Sequence, residues 1–293
     1  MEFTVRLKDE LSREEHAIVL DFALALEKGI ALKKDPDTAR SLYQIAAEAG
    51  DETALNNLGW IIQNSDEDGR YEVAKSLYLK AARKQNTTAM VNLGNLYEKG
   101  LLEGENCEEN AFFWYQLASA LGDEAGMFNV ANCYHFGIGV PQDREKAFML
   151  FFTLAEYDYA NAFFYMGLYH EEGWITEKDL NLARRFYEFG AERKDGYCSC
   201  QLGVMYATGN GVKKDIETAA KYYEEAGRNG DPMGYTNLAY FYETGQIGKT
   251  PDGDRACKLY SLAAKAGEEH AMEALERIHH DGPAPESDTS AAD

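Results

Sequence analysis

Several short stretches of this 293-residue chain carry residue types and spacings that hold ions or phosphates in other proteins. In NSDEDGRYEVAK, Asn64, Asp66, Asp68 and Gly69 stand at the first, third, fifth and turn-glycine places of a calcium loop. The twelfth place, which needs a bidentate glutamate, is Lys75, so the strongest ligand is missing. GIGVPQ (137 to 142) and GNGVKK (209 to 214) have the glycine density of phosphate-cradling turns, yet neither completes a phosphate-binding fingerprint or follows a strand. His279 and His280 are adjacent, with no third ligand at metal spacing. Cys133 and His135 stand two apart on a predicted helix, as do Cys198 and Cys200, so each pair of side chains diverges. No Ser/His/Asp or Cys/His arrangement stands out. The expectation is a protein that is not an enzyme, with no metal and no other cofactor.

Both glycine-rich turns fall at one place in a larger pattern. A helix hairpin recurs seven times, 35 to 37 residues apart, with Ala39, Ala74, Ala111, Ala147, Ala183, Ala219 and Ala256 in one column of its second helix, helix B. Such a period predicts a repeat architecture, which works through an extended surface rather than a catalytic pocket. Helix A carries a small residue at its centre: Ala23, Gly59, Gly94, Ala131, Gly167, Gly203 and Ala239. Mid-helix glycine costs about 1 kcal/mol relative to alanine, so its recurrence predicts close approach by a neighbouring helix. Six residues further on, Gly29, Gly100, Gly137, Gly173, Gly209 and Gly245 match a left-handed helix terminus. Ser65 holds that place in the second repeat, whose turn should differ. Helix B carries an apolar stripe with an aromatic-rich pair, Trp114/Tyr115 and Tyr222/Tyr223 among them, which is read as core.

The net charge is −21, from 29 Lys and Arg against 50 Asp and Glu. Clustered cations are what phosphate backbones and anionic lipid surfaces recognise, so no nucleic acid and no membrane partner is expected. The acidity suits a basic protein or peptide; alternatively, solvated acidic faces only keep the chain from self-associating. The start has no cationic segment followed by an apolar run, and no apolar stretch approaches the length of a membrane span. Five cysteines, without a matched pair across any hairpin, point to a reducing compartment, and a cytoplasmic location is expected.

These columns resemble the Sel-1-like repeat family, relatives of the tetratricopeptide repeat. The match is fullest in LGVMYATGNGVKKDIETAAKYYEEAG, where only Thr218 stands in place of the pattern's lysine, and good in YHFGIGVPQDREKAFMLF. It spans about residues 17 to 280 and is weakest in the first two repeats. The resemblance implies an all-α, right-handed α-solenoid of about seven hairpins with helix A on the concave side. It implies a scaffold or adaptor role. A secreted branch of the family bridges each hairpin with a cysteine pair, from which this sequence departs.

Residues 1–11 read as an extended lead, with Phe3, Val5 and Leu7 alternating, before a capping box of Ser12 and Glu15. The repeats occupy 12–280, closing on a capping helix AMEALERIHH that packs Ala271, Leu275 and Ile278. Residues 281–293 read as a disordered tail.

Subtracting the columns the repeat explains leaves one helix-A face, at minus six, minus two and plus one from the central small residue. Its minus-two column is Asn57, Asn92, Asn129, Tyr165, Gln201 and Asn237. Amides both donate and accept, so a ladder of them could hold an extended peptide backbone; alternatively each bonds a neighbouring helix. The flanking columns hold Trp60 early, then turn apolar and aromatic with Leu168, Tyr197 and Tyr240. Exposed aromatics are typical interface anchors. These ten residues form the candidate partner-binding site, unless curvature buries the face. The function read from them is a non-catalytic scaffold or adaptor holding a partner segment. The alternative is an inhibitor or immunity-type protein blocking one enzyme or toxin.

Overall fold

The computed structural model describes residues 13–102, 104 and 106–281. The lead over 1–11, the side chains of the Ser12 and Glu15 capping box and the tail after Asp281 lie outside the described residues.

Fifteen helices follow one another, and no strand occurs among the described residues. They form seven hairpins and one terminal helix: α1 (Arg13–Lys28) with α2 (Pro36–Glu48), α3 (Glu52–Gln63) with α4 (Arg70–Ala82), α5 (Thr87–Glu98) with α6 (Cys107–Ala120), α7 (Glu124–Phe136) with α8 (Arg144–Glu156), α9 (Ala160–Glu172) with α10 (Leu180–Glu192), α11 (Gly196–Thr208) with α12 (Ile216–Arg228), α13 (Pro232–Glu243) with α14 (Gly253–Lys265), and α15 (Glu269–Asp281). This is the all-α hairpin repeat of the α-solenoid class. Two compact units divide it, residues 1–150 and 151–293, and each is described by itself.

Local sequence dictates where the helices start and stop. Helix A begins after a side chain that accepts from the first turn: Asp51, Asn86 and Asp123 in the first unit, Asp195, Asp231 and Glu268 in the second. Asp35, Asp143, Asp179, Asp215 and Asp252 do the same for helix B. Each supplies an acceptor to an otherwise orphaned N–H, and the exposed aspartates among them add a negative charge at the positive end of the helix. The six predicted terminal glycines all lie in the left-handed region, φ 62 to 83. The second hairpin turns differently, as Ser65 foretold. Gly69, at φ 71, starts α4 without a side-chain cap. Asn64 turns its amide back onto the Trp60 carbonyl, and Glu67 pairs with Arg40.

The central small residue of helix A meets an aromatic ring from helix B. A Cβ on Gly94 would stand 2.3 Å from the ring of Tyr115, and one on Gly167 2.3 Å from that of Tyr187. Alanine replaces glycine in this column only at Ala23, Ala131 and Ala239, and all three are fully buried. The ring column, Tyr43, Tyr78, Tyr115, Phe151, Tyr187, Tyr223 and Tyr260, is buried throughout. Burying a phenol requires a partner for its hydroxyl. Tyr43, Tyr187 and Tyr260 donate to Glu27, Glu171 and Glu243 at 3.0, 2.8 and 2.9 Å; Tyr78 donates to Gln63 at 2.9 Å. The Tyr115 hydroxyl lies 2.8 Å from Glu98. Each acceptor sits four residues beyond the small residue, one helical turn along the same face.

The last helix closes the second unit. Ala271 is fully buried with Leu275 and Ile278 packed around it, beside Tyr260 and Ala263. Arg277 returns to Glu243, a carboxylate almost wholly buried and already bonded to Tyr260. That charge is therefore paired and hydrogen-bonded, which a buried carboxylate demands.

Candidate interaction face

Helix A is fixed on two sides, by the small residue against helix B and by its N-terminal cap. Its remaining face is the one at minus six, minus two and plus one. None of those eighteen positions, from Thr53 to Tyr240, is buried. The minus-six column is mostly exposed, and the minus-two column is half-buried from Asn57 to Asn237.

In the first unit the face is built of amides. Asn92 on α5 donates through Nδ2 to Oδ1 of Asn56 on α3 at 3.0 Å, and Asn56 donates to Oδ1 of Asn57 at 3.2 Å. Asn56 is buried, Asn57 and Asn92 half-buried. The structure thus brings two predicted residues together through a third that the sequence columns had not singled out. On α7, Asn129 and Asn132 are half-buried, and Oδ1 of Asn132 has no hydrogen-bond partner although the atom is buried. Trp60 on α3 is 48% exposed.

In the second unit rings join the amides. Tyr197 on α11 and Tyr240 on α13 are 54% and 53% exposed, with Met233 also exposed. Tyr197 rests against Phe164, ring centroids 5.8 Å apart. Tyr165 is placed differently: it stacks flat on Phe151, centroids 4.1 Å apart and planes 4° apart, and burial pushes its hydroxyl up to about 12. Leu168 and Gln201 are half-buried. Asn237 donates to the sulfur of Cys200 on the preceding helix A at 3.7 Å. In both units, then, an amide of this column reaches the neighbouring helix.

Buried titratable groups cluster at the start of helix A in the second unit. Burial holds the carboxyls of Asp195 and Asp231 above their ordinary range, against the N–H bonds they accept. Burial likewise raises the Cys198 and Cys200 thiols, which makes them poor nucleophiles. A cleft of about 260 Å³ lies beside Tyr197, lined by Asn161, Arg193, Asp195 and Asp231. Among the described residues, no group of three His, Cys, Asp or Glu side chains is placed to hold a metal ion. No helix among them is long and apolar enough to cross a membrane.

The family model described as Sel1 repeat matches residues 22–51, 53–86, 87–123, 125–156, 153–195, 197–231 and 232–268. Over 157 residues, 54% of this chain, the sequence is 29% identical to the Arabidopsis thaliana ERAD-associated E3 ubiquitin-protein ligase component HRD3A, of which it covers 20%. The chain therefore spans about a fifth of that relative. The structure of a Sel1 repeat protein from Oxalobacter formigenes aligns with a TM-score of 0.69 at 26% identity, covering 84% of this chain and 96% of that one. The immunity protein Pa5087 from Pseudomonas aeruginosa aligns with a TM-score of 0.56 at 17% identity, covering 80% and 89%, a likeness of fold alone.

Proposed function

Because this chain belongs to the Sel1 repeat family, whose members are typically protein-interaction scaffolds, we propose that it is a non-catalytic scaffold or adaptor holding a segment of a partner protein on its helix-A face. One observation carries this reading: Tyr197 and Tyr240 leave half their surface exposed on successive helices A, at the minus-six and plus-one places of one face, while the helix-B rings that pack against the small column are buried. Neither tyrosine is needed to close a hairpin. Both are rigid, amphipathic side chains of the kind that anchor interfaces. Gln201 and Asn237 share this face with them in the second unit, Asn57, Asn92 and Asn129 hold the same column in the first, and such amides suit the backbone of an extended segment. The charge of −21 favours a basic or amphipathic partner over nucleic acid or an anionic membrane. Five free cysteines favour a reducing, cytoplasmic location.

The test replaces Tyr197 and Tyr240 with Ser and measures capture of partners from the native source. Loss of a specific partner with an intact fold supports the reading; undiminished capture sinks it. The alternative, a protein that blocks one enzyme or toxin through the same face, draws on the fold it shares with Pa5087. Tight one-to-one inhibition would mark it, whereas an adaptor holds two partners at once.

A further inference from the structure

We infer that the outer face of α6, with the cleft beside it, docks an amphipathic helix with a basic polar side, supplied by a partner protein. The site lies on helix B and goes beyond the helix-A reading; neither depends on the other.

Helix α6 buries Ala111, Tyr115 and Ala118, the stripe that joins it to the hairpin stack. On its opposite side Phe113, Leu117 and Leu121 are exposed, Phe113 by 54%. With Gln116 and Ala120 these residues follow the i, i+3, i+4, i+7 spacing of one helix face. Gln116 and Ala120 also line a cleft of about 500 Å³, whose far wall includes Tyr134, Met149 and Leu150. Met149 is 60% exposed. The result is an apolar groove between two successive helices B, wide enough for large side chains. Contiguous exposed apolar surface of this kind marks interaction sites.

The occupant follows from the surrounding charge. Residues 106 to 143 contain Glu108, Glu109, Asp123, Glu124 and Asp143, and not one Lys or Arg. Glu109 stands one turn before Phe113, Asp123 and Glu124 follow Leu121, and Glu145 borders the cleft. The cation on the cleft wall, Lys146, is held by Asp143 at 2.9 Å and lies over the Tyr134 ring. The cleft wall itself holds Glu145 and Lys146, and the exposed apolar stripe beside it is flanked by Glu109, Asp123 and Glu124, which complements a helix whose apolar stripe lies on it and whose flanks carry Lys and Arg. A second copy of this chain fits poorly: a two-fold contact would set the same carboxylates against each other.

The test uses the full chain and a fluorescent helical peptide of leucine and lysine, about 18 residues long, with its leucines on one face. Saturable binding is expected. It should weaken about tenfold in Leu117→Ser and again in Met149→Ser, as loss of an interface anchor does, and also with rising salt. Tyr197→Ser should bind as the parent does, which separates this site from the helix-A face. Both serine variants alter exposed side chains, and thermal melting checks that each is folded; if one is not, the other decides. The inference is overturned if the peptide binds no better than one with scattered leucines, or if glutamates in place of lysines bind equally. It is also overturned if both serine variants match the parent, or if sedimentation shows a dimer of this chain that Leu117→Ser dissociates.

Discussion

The helix-A face of residues 1–150 is mostly polar, with Asn57, Asn92, Asn129 and Asn132 beside one exposed ring, Trp60, whereas that of residues 151–293 sets Tyr165, Tyr197 and Tyr240 beside Gln201 and Asn237. The backbone is the same repeat in both, with a small residue, Gly or Ala, at the centre of helix A and a buried aromatic ring of helix B against it. In the first unit Asn92 and Asn56 pass hydrogen bonds from α5 to α3. In the second, Asn237 reaches only a thiol sulfur at 3.7 Å, and Tyr197 and Tyr240 stand half-exposed beside it. A repeat fixes where its variable positions point; what stands there decides whether the face ties neighbouring repeats together or waits for a partner.

If that separation is real, damage to the shared frame must be equal in the two units. Gly94→Val and Gly167→Val each drive side-chain carbon into a tyrosine ring already 2.3 Å from a built Cβ. Each should lower stability by roughly 1–3 kcal/mol or more, the cost of overpacking a dense core. Denaturant unfolding measures it. A large effect in one unit and none in the other would show that the two frames differ as well as the two faces.

The faces themselves should respond oppositely. Tyr197→Ser with Tyr240→Ser should cost partner capture about tenfold or more, as loss of central aromatic anchors does, and leave the unfolding midpoint nearly unchanged. Asn92→Ala should do the reverse. It strips the buried Oδ1 of Asn56 of its donor, which costs roughly 1–3 kcal/mol when a polar atom is left unsatisfied. Asn237→Ala, which releases only a weak acceptor, should cost about 0.5 kcal/mol or less. Equal destabilisation by the two alanines would erase the comparison.

The sequence carries the frame almost completely. The seven-fold columns predict the hairpins, the six left-handed glycines, the odd second turn and the terminal helix, because each is set within a few residues of chain. The resemblance adds the solenoid class. Longer-range pairing is less legible. The Asn92–Asn56 bond joins residues 36 apart, and its register depends on how one helix A slides along the next. The acceptors of the buried tyrosines, Glu27, Gln63, Glu98, Glu171 and Glu243, do recur four residues after the small column, a signal present in the sequence but not separable there from surface charge. Phe113 and Leu117 pass for core in a stripe-based reading, since α6 is apolar on both sides; only its packing shows which side is left over.

The smallest expected effect concerns the buried caps of the second unit. Asp231 sits at the N-terminus of α13, near Cys200, Asp195 and Glu268, and burial holds its pKa above the ordinary value, as it does for Asp195. Between its unfolded pKa and the higher folded one, the folded chain binds a proton that the unfolded chain has lost. Stability from this group is therefore greatest below the ordinary carboxylate range. It declines as pH rises through that range to the folded pKa, and is level beyond it. Asp231→Asn keeps an oxygen to accept from the Met233 N–H, since asparagine is as good a cap, but cannot ionise. The variant should be more stable than the parent above the folded pKa of Asp231, and the gap should narrow as the buffer is acidified through the window. Melting temperatures across pH measure it. A gap that widens on acidification would mean that Asp231 is held charged, its hydrogen bonds outweighing its burial. The buried caps would then bind the second unit's helices as charges rather than as neutral acceptors.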